Sequence, residues 1–104
     1  MGDISQIETK WELFKSFPFP TGYAGMSIHG IVLGYLDTSA AGCIDTFVST
    51  KGKLSADQID ILKQCSNELD IVLGSLDDGA ANYFRFLRRL CEMVLQSANG
   101  NVAA

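Results

Sequence analysis

The chain has 104 residues, 47% of them apolar, with twelve acidic and eight basic side chains and a formal net charge of −4. A chain of this size hides roughly 65% of the surface it would expose unfolded, so one domain with a core of its own is expected and wholesale disorder is excluded. The acidic balance argues against generic binding to a phosphate backbone, which needs many unopposed lysines and arginines, and leaves room for a basic partner.

Residues 3–15 read as a first helix. Ile4, Ile7, Trp11 and Phe14 share a face at spacings of three and four, and Glu8, Lys10, Glu12 and Lys15 take the other sides. Asp3 or Ser5 can cap it, with Ser5-Gln6-Ile7-Glu8 in the form of a capping box. The opening residues Met1-Gly2-Asp3-Ile4 lack the basic and apolar regions of a secretory signal. The longest apolar run, Ile31 to Leu36, falls far short of the ~20 residues that span a bilayer. These features predict a cytoplasmic chain without a membrane role.

Phe17-Pro18-Phe19-Pro20-Thr21-Gly22 ends the first helix, because two prolines remove amide donors and bias the preceding residues toward extended geometry. Phe17, Phe19 and Tyr23 make this loop unusually aromatic. Either it packs back over the end of the bundle, or it stands out as a knob for a partner.

Residues 23–50 admit two readings. As a helix, Ile28, Val32, Leu36, Ala40, Cys43 and Phe47 form one stripe, and Gly30, Gly34, Thr38 and Gly42 form a second stripe of small residues that would let another backbone approach. As strands, Ile28–Leu36 and Ile44–Thr50 are rich in β-branched residues, with a loop at 38–42 between them. Helix is preferred, because the periodicity runs across the supposed loop. The helix is either continuous or broken near Asp37 to Ser39, since these residues can cap a new helix. Lys51-Gly52-Lys53 is a stop signal in which Gly52 can take the left-handed position after the last turn.

Ser55-Ala56-Asp57-Gln58 is a second capping box, followed by Ile59, Leu62, Cys65, Leu69, Val72 and Leu76 on one face. Asp77-Asp78-Gly79 breaks the pattern, and one of the two aspartates serves as a cap. The last helix carries two apolar stripes: Phe84, Leu87, Cys91 and Val94, and beside them Tyr83, Phe86, Leu90 and Met93. One stripe suffices for a helix on the edge of a bundle. This helix must therefore sit centrally or lend its second stripe to another chain. Ile71, on the polar side of the third helix, adds to the surplus.

The expected fold is a single-domain, all-α, antiparallel four-helix bundle over residues 1–104, frayed at 1–2 and 99–104, with an α+β chain carrying a hairpin within 27–50 as the alternative. The expected core is Trp11, Phe14, Val32, Leu36, Phe47, Leu62, Leu69, Val72, Phe84, Leu87 and Val94.

Chemistry is hard to find. Cys43, Cys65 and Cys91 are widely spaced, with no CxxC pair, and read as reduced core residues. His29 stands without a partner motif, no phosphate-binding glycine loop is present, and neither a catalytic residue, a cofactor site nor a metal site is identified. The residues that point outward define an interface: Phe17, Phe19, Tyr23, Ile71, Tyr83, Phe86, Leu90 and Met93, with Arg85 and Arg89 beside them. They predict a non-catalytic module that binds another protein or itself as a homo-oligomer, in the manner of an adaptor, an immunity protein or a small regulator. The alternative is a small-ligand or metal-binding bundle, with an enzymatic role open to it, whose cavity is lined by His29, Tyr35, Asp37, Asp45 and the cysteines. Nucleic acid, through Arg85, Arg88 and Arg89, is a weaker third reading.

Overall fold

Four helices carry the chain in a computed structural model that describes residues 4–23 and 25–99: α1 (Ile4–Lys15), α2 (Leu33–Ser49), α3 (Ala56–Leu73) and α4 (Asp78–Asn99). They pack on one another as an all-α bundle, and among the described residues the only strands are a two-stranded ribbon, β1 (Ser27–Ile28) and β2 (Ile31–Val32). The ends expected to fray lie outside the described residues, except that Asn99 closes α4. No described helix is long and apolar enough to cross a membrane.

The α3–α4 hairpin forms for the reasons its sequence gives. The Ser55 hydroxyl accepts from the Gln58 amide at 3.1 Å, and the Gln58 side chain accepts from the Ser55 amide at 3.0 Å. Asp77 caps α4, its carboxylate accepting from the Ala80 amide at 2.9 Å. The expected box at Ser5 is not the cap of α1, because the helix already includes Ile4 and Ser5 lies inside it. A cap from Asp3 falls outside the described residues.

The second segment departs most from expectation. The helix does not start near residue 23, nor is it broken at Asp37–Ser39: it runs without interruption from Leu33 to Ser49. Ahead of it, residues 27–32 fold into a tight hairpin pairing Ile28 with Ile31 and Ser27 with Val32. His29 and Gly30 both have positive φ, 52° and 79°, which is what a two-residue loop matched to the strand twist requires. The hairpin is thus much shorter than the strand reading, and the apolar spacing from Ile28 onward crosses a turn. Val32 is 47% exposed and leaves the expected core. The small-residue stripe has no backbone against it either: a Cβ on Gly34 or Gly42 would meet nothing within 4 Å.

The end of α2 is shifted by one residue from the sequence reading. Lys51, not Gly52, takes the first left-handed position at φ 58°, and Gly52 follows at 105°. The Gly52 amide bonds to the Phe47 carbonyl at 2.8 Å and the Lys51 amide to the Val48 carbonyl at 3.3 Å, the paired bonds of a Schellman motif. Gly52 is buried, and a Cβ there would lie 3.0 Å from Ile4 Cδ1.

Helix α4 is central: it packs against α1, α2 and α3. Its first stripe, Phe84, Leu87, Cys91 and Val94, is fully buried in one continuous core with Ile7, Leu33, Ile44, Phe47, Leu62 and Leu69. Its second stripe faces α1 and the aromatic loop. Leu90, expected at an interface, is 0% exposed and belongs to the core. Tyr83, Phe86 and Met93 are half-buried against it. The apparent surplus of apolar surface on α4 is therefore largely covered inside the chain.

Candidate functional site

The aromatic loop and the start of α4 together build a concavity. Phe14 near the end of α1 lies 4.8 Å from the Tyr83 ring and 5.8 Å from Phe86, centroid to centroid. Beyond the helix, Phe19 meets Tyr83 and Phe84 edge-on at 5.6 and 5.8 Å, and Phe17 meets Phe86 edge-on at 5.5 Å. Such offset and edge contacts add ~0.5–1.5 kcal/mol each beyond the area they bury. Phe19 packs back onto the bundle, as the first reading of the loop expects, whereas Phe17 packs on Phe14 and Phe86 and keeps 39% of its surface exposed.

Between the loop and α4 lies a groove of about 570 Å³ whose sides are Phe17, Phe19, Tyr23, Tyr83 and Phe86. These are five of the ten interface residues read from the sequence. Thr21, Asp77 and Asn82 complete the rim. Asp77 was legible only as a helix cap. Its position here comes from tertiary structure, because the Tyr23 hydroxyl donates to its second carboxylate oxygen at 2.9 Å across 54 residues of sequence. The Ala80 amide, then the Tyr23 hydroxyl, hold the Asp77 carboxyl below the usual carboxylate range, and the same bond raises the Tyr23 phenol. Asp77 is thus an anion at neutral pH, and it pins the loop to the first turn of α4.

A second tyrosine–aspartate pair lies just beneath. The Tyr83 hydroxyl donates to Asp37 at 2.7 Å, tying α4 to α2. Burial raises the Asp37 carboxyl, with the Tyr83 bond pulling the other way, and burial followed by the Asp37 bond drives the Tyr83 phenol well above its ordinary range.

The remaining sequence candidates do not join this groove. Ile71 is 50% exposed on α3. Met93 lies two turns along α4 from Phe86. Arg85 is exposed and donates to the Asn82 side chain at 3.0 Å, and Arg89 is exposed on the same helix. Arg88, between them, pairs with Asp70 of α3 and, at 3.2 Å, with Glu92, so one of the three arginines is engaged in bracing α3 against α4.

The alternative ligand-binding set does not converge. His29 sits on the exposed hairpin turn near the Ser75 hydroxyl. Asp45 is exposed, whereas Asp37 faces Tyr83. Cys43, Cys65 and Cys91 are free and buried. Burial pushes all three thiols up, Cys65 to about 11, with the neighbouring thiols adding to the shift at Cys65 and Cys91. Among the described residues, however, no three His, Cys, Asp or Glu side chains come together in a way that could hold a metal ion.

One surface was missed from the sequence. Tyr35 is 71% exposed and, with Val32 and Ile61, borders a smaller cleft between α2 and α3. The helical reading put Val32 in the buried stripe; because α2 starts only at Leu33, Val32 belongs to the hairpin and is exposed, while Leu36, Ala40, Cys43 and Phe47 are buried as that reading expects. The chain matches no protein-family model, and no curated protein and no solved structure is found to be similar to it.

Proposed function

We propose that this chain is a non-catalytic binding module that holds another polypeptide in the groove between its aromatic loop and α4. The observation that carries this reading is the groove itself. Aromatic side chains from two separate elements converge on one concavity, and Phe17 remains exposed beside it. Exposed aromatic side chains around a pocket are the usual anchors of protein–protein recognition. Among the described residues the titratable groups are dispersed or already paired, and the shape favours capture over bond chemistry.

Self-association remains one form of this function. It would run through the groove or the Tyr35 face, because Leu90 and its neighbours are already committed to the core. Two measurements test the reading. Sedimentation velocity from about 1 to 200 µM detects a second copy held at micromolar affinity. Affinity capture with immobilised chain, wild type beside Phe17→Ser, detects a different partner. A species retained by the wild type and lost with Phe17→Ser supports the groove. A monomer that retains the same proteins in both forms refutes it.

A further inference from the structure

The groove is not electrically neutral. Among its lining residues Asp77 alone carries a charge, and no lysine, arginine or histidine lines it. Asp78 follows at the start of α4. The amino end of a helix offers about half a positive charge, which the two carboxylates outweigh. Arg85, further along α4, donates to the Asn82 side chain on the rim of the groove. A patch of aromatic faces with one fixed carboxylate is the environment that attracts an ammonium or guanidinium group, through the ring quadrupole and through charge.

From this charge complementarity, and resting on the binding reading above, we infer that the groove receives a basic apolar segment of another protein: a lysine or arginine set against Asp77 and the rings of Phe17 and Phe19, flanked by apolar side chains on Tyr83 and Phe86. A second copy of this acidic chain is the less suitable occupant. Its net charge of −4 would repel its twin, and its exposed apolar face at Tyr35 carries no basic group in its lining.

The test is an amide NMR titration of the intact chain with three capped tetrapeptides: Leu-Arg-Phe-Leu and its Gln-for-Arg and Glu-for-Arg analogues. The arginine peptide is expected to shift the amides of Phe17, Gly79, Asn82 and Phe86 and to bind about tenfold more tightly than the glutamate peptide, the sum of a cation–ring contact and one exposed ion pair. Asp77→Asn is the diagnostic variant. Asparagine still caps the helix through its one carbonyl oxygen and turns its NH2 to the Tyr23 oxygen, which then accepts instead of donating, so the charge is lost while the loop contact is kept with its direction reversed. It should weaken the arginine peptide about threefold to fivefold and leave the glutamine peptide unchanged. Asp78→Asn should do less, and Arg85→Gln should tighten binding.

Equal affinity for all three peptides, with groove amides shifting, overturns the charge inference and leaves the binding reading standing. No groove shift with any peptide at about 5 mM, the range where even weak contacts register, overturns both. Shifts confined to Tyr35, Val32 and Ile61 do the same and relocate the docking surface. Should Asp77→Asn fail to fold, the salt dependence of the wild type decides: an arginine-peptide affinity unchanged between about 0.05 and 0.5 M salt contradicts a role for charge.

Discussion

Removing the Tyr83 hydroxyl probes the polar link beneath the aromatic groove. In Tyr83→Phe the ring and its contacts with Phe14, Phe19 and Phe84 are retained, and only the 2.7 Å bond to Asp37 is lost. A hydrogen bond to a charged acceptor contributes about 1.5–3 kcal/mol, and half-burial of the pair brings the expected loss to about 1–1.5 kcal/mol at pH 7. For a domain of this size that is ~5–8 °C in Tm. The loss should depend on pH. Asp37 has a raised folded pKa, so the native state holds its proton longer than the unfolded chain does. Its burial therefore costs stability as pH rises from below 3.8 through the folded value, and no further above it. The hydroxyl opposes that cost, so Tyr83→Phe should be more damaging at pH 7 than at pH 3. Asp37→Asn keeps an acceptor without the charge. It should stabilise the chain at neutral pH and reduce the cost of Tyr83→Phe to about 0.5 kcal/mol, as for a neutral bond. Urea unfolding of the two single variants and the double variant, at both pH values, gives the coupling directly. A cost that is the same at pH 3 and 7 and in both Asp37 backgrounds would refute the reasoning.

Three further outcomes follow from backbone and burial. Gly42→Ala should raise stability by about 0.5–1 kcal/mol in thermal unfolding, because the added Cβ meets nothing and helix entropy is recovered. Gly52→Ala should lower it by more than about 1 kcal/mol, since φ is 105° and Ile4 stands 3.0 Å from the new Cβ. The three thiols should react with a disulfide reagent at pH 8 only as fast as the bundle opens. Because Cys65 titrates at about 11 in the fold rather than 9.0, stability should also fall as pH rises between those values.

The elements that could be read from the sequence are those whose causes are local. The Ser55–Gln58 box and the three-four spacing after it lie within one helix, and they form as written. The start of α2 was obscured because Ile28 and Val32 continue the helical spacing by coincidence across the His29-Gly30 turn. Two consecutive positive φ values decide that turn, and a histidine gives only a weak sign of one. The surplus on α4 was visible as a pattern of residues. What covers it was not, because Phe14, Phe17 and Phe19 come from another part of the chain. The groove was half legible for the same reason: its rings stood out, whereas the Tyr23–Asp77 and Tyr83–Asp37 bonds join residues 54 and 46 apart and leave no periodic trace.

The most direct test is photo-crosslinking from two positions. A benzophenone side chain in place of Phe17 places the reporter at the groove, and one in place of Tyr35 places it on the other exposed apolar face. Irradiated in the cells that make this protein, the Phe17 reporter should yield a discrete adduct that competes with the arginine peptide, and the Tyr35 reporter should not. Adducts from Tyr35 alone, or a Phe17 adduct indifferent to the peptide, would contradict the assignment of the aromatic groove as the place where this chain meets its partner.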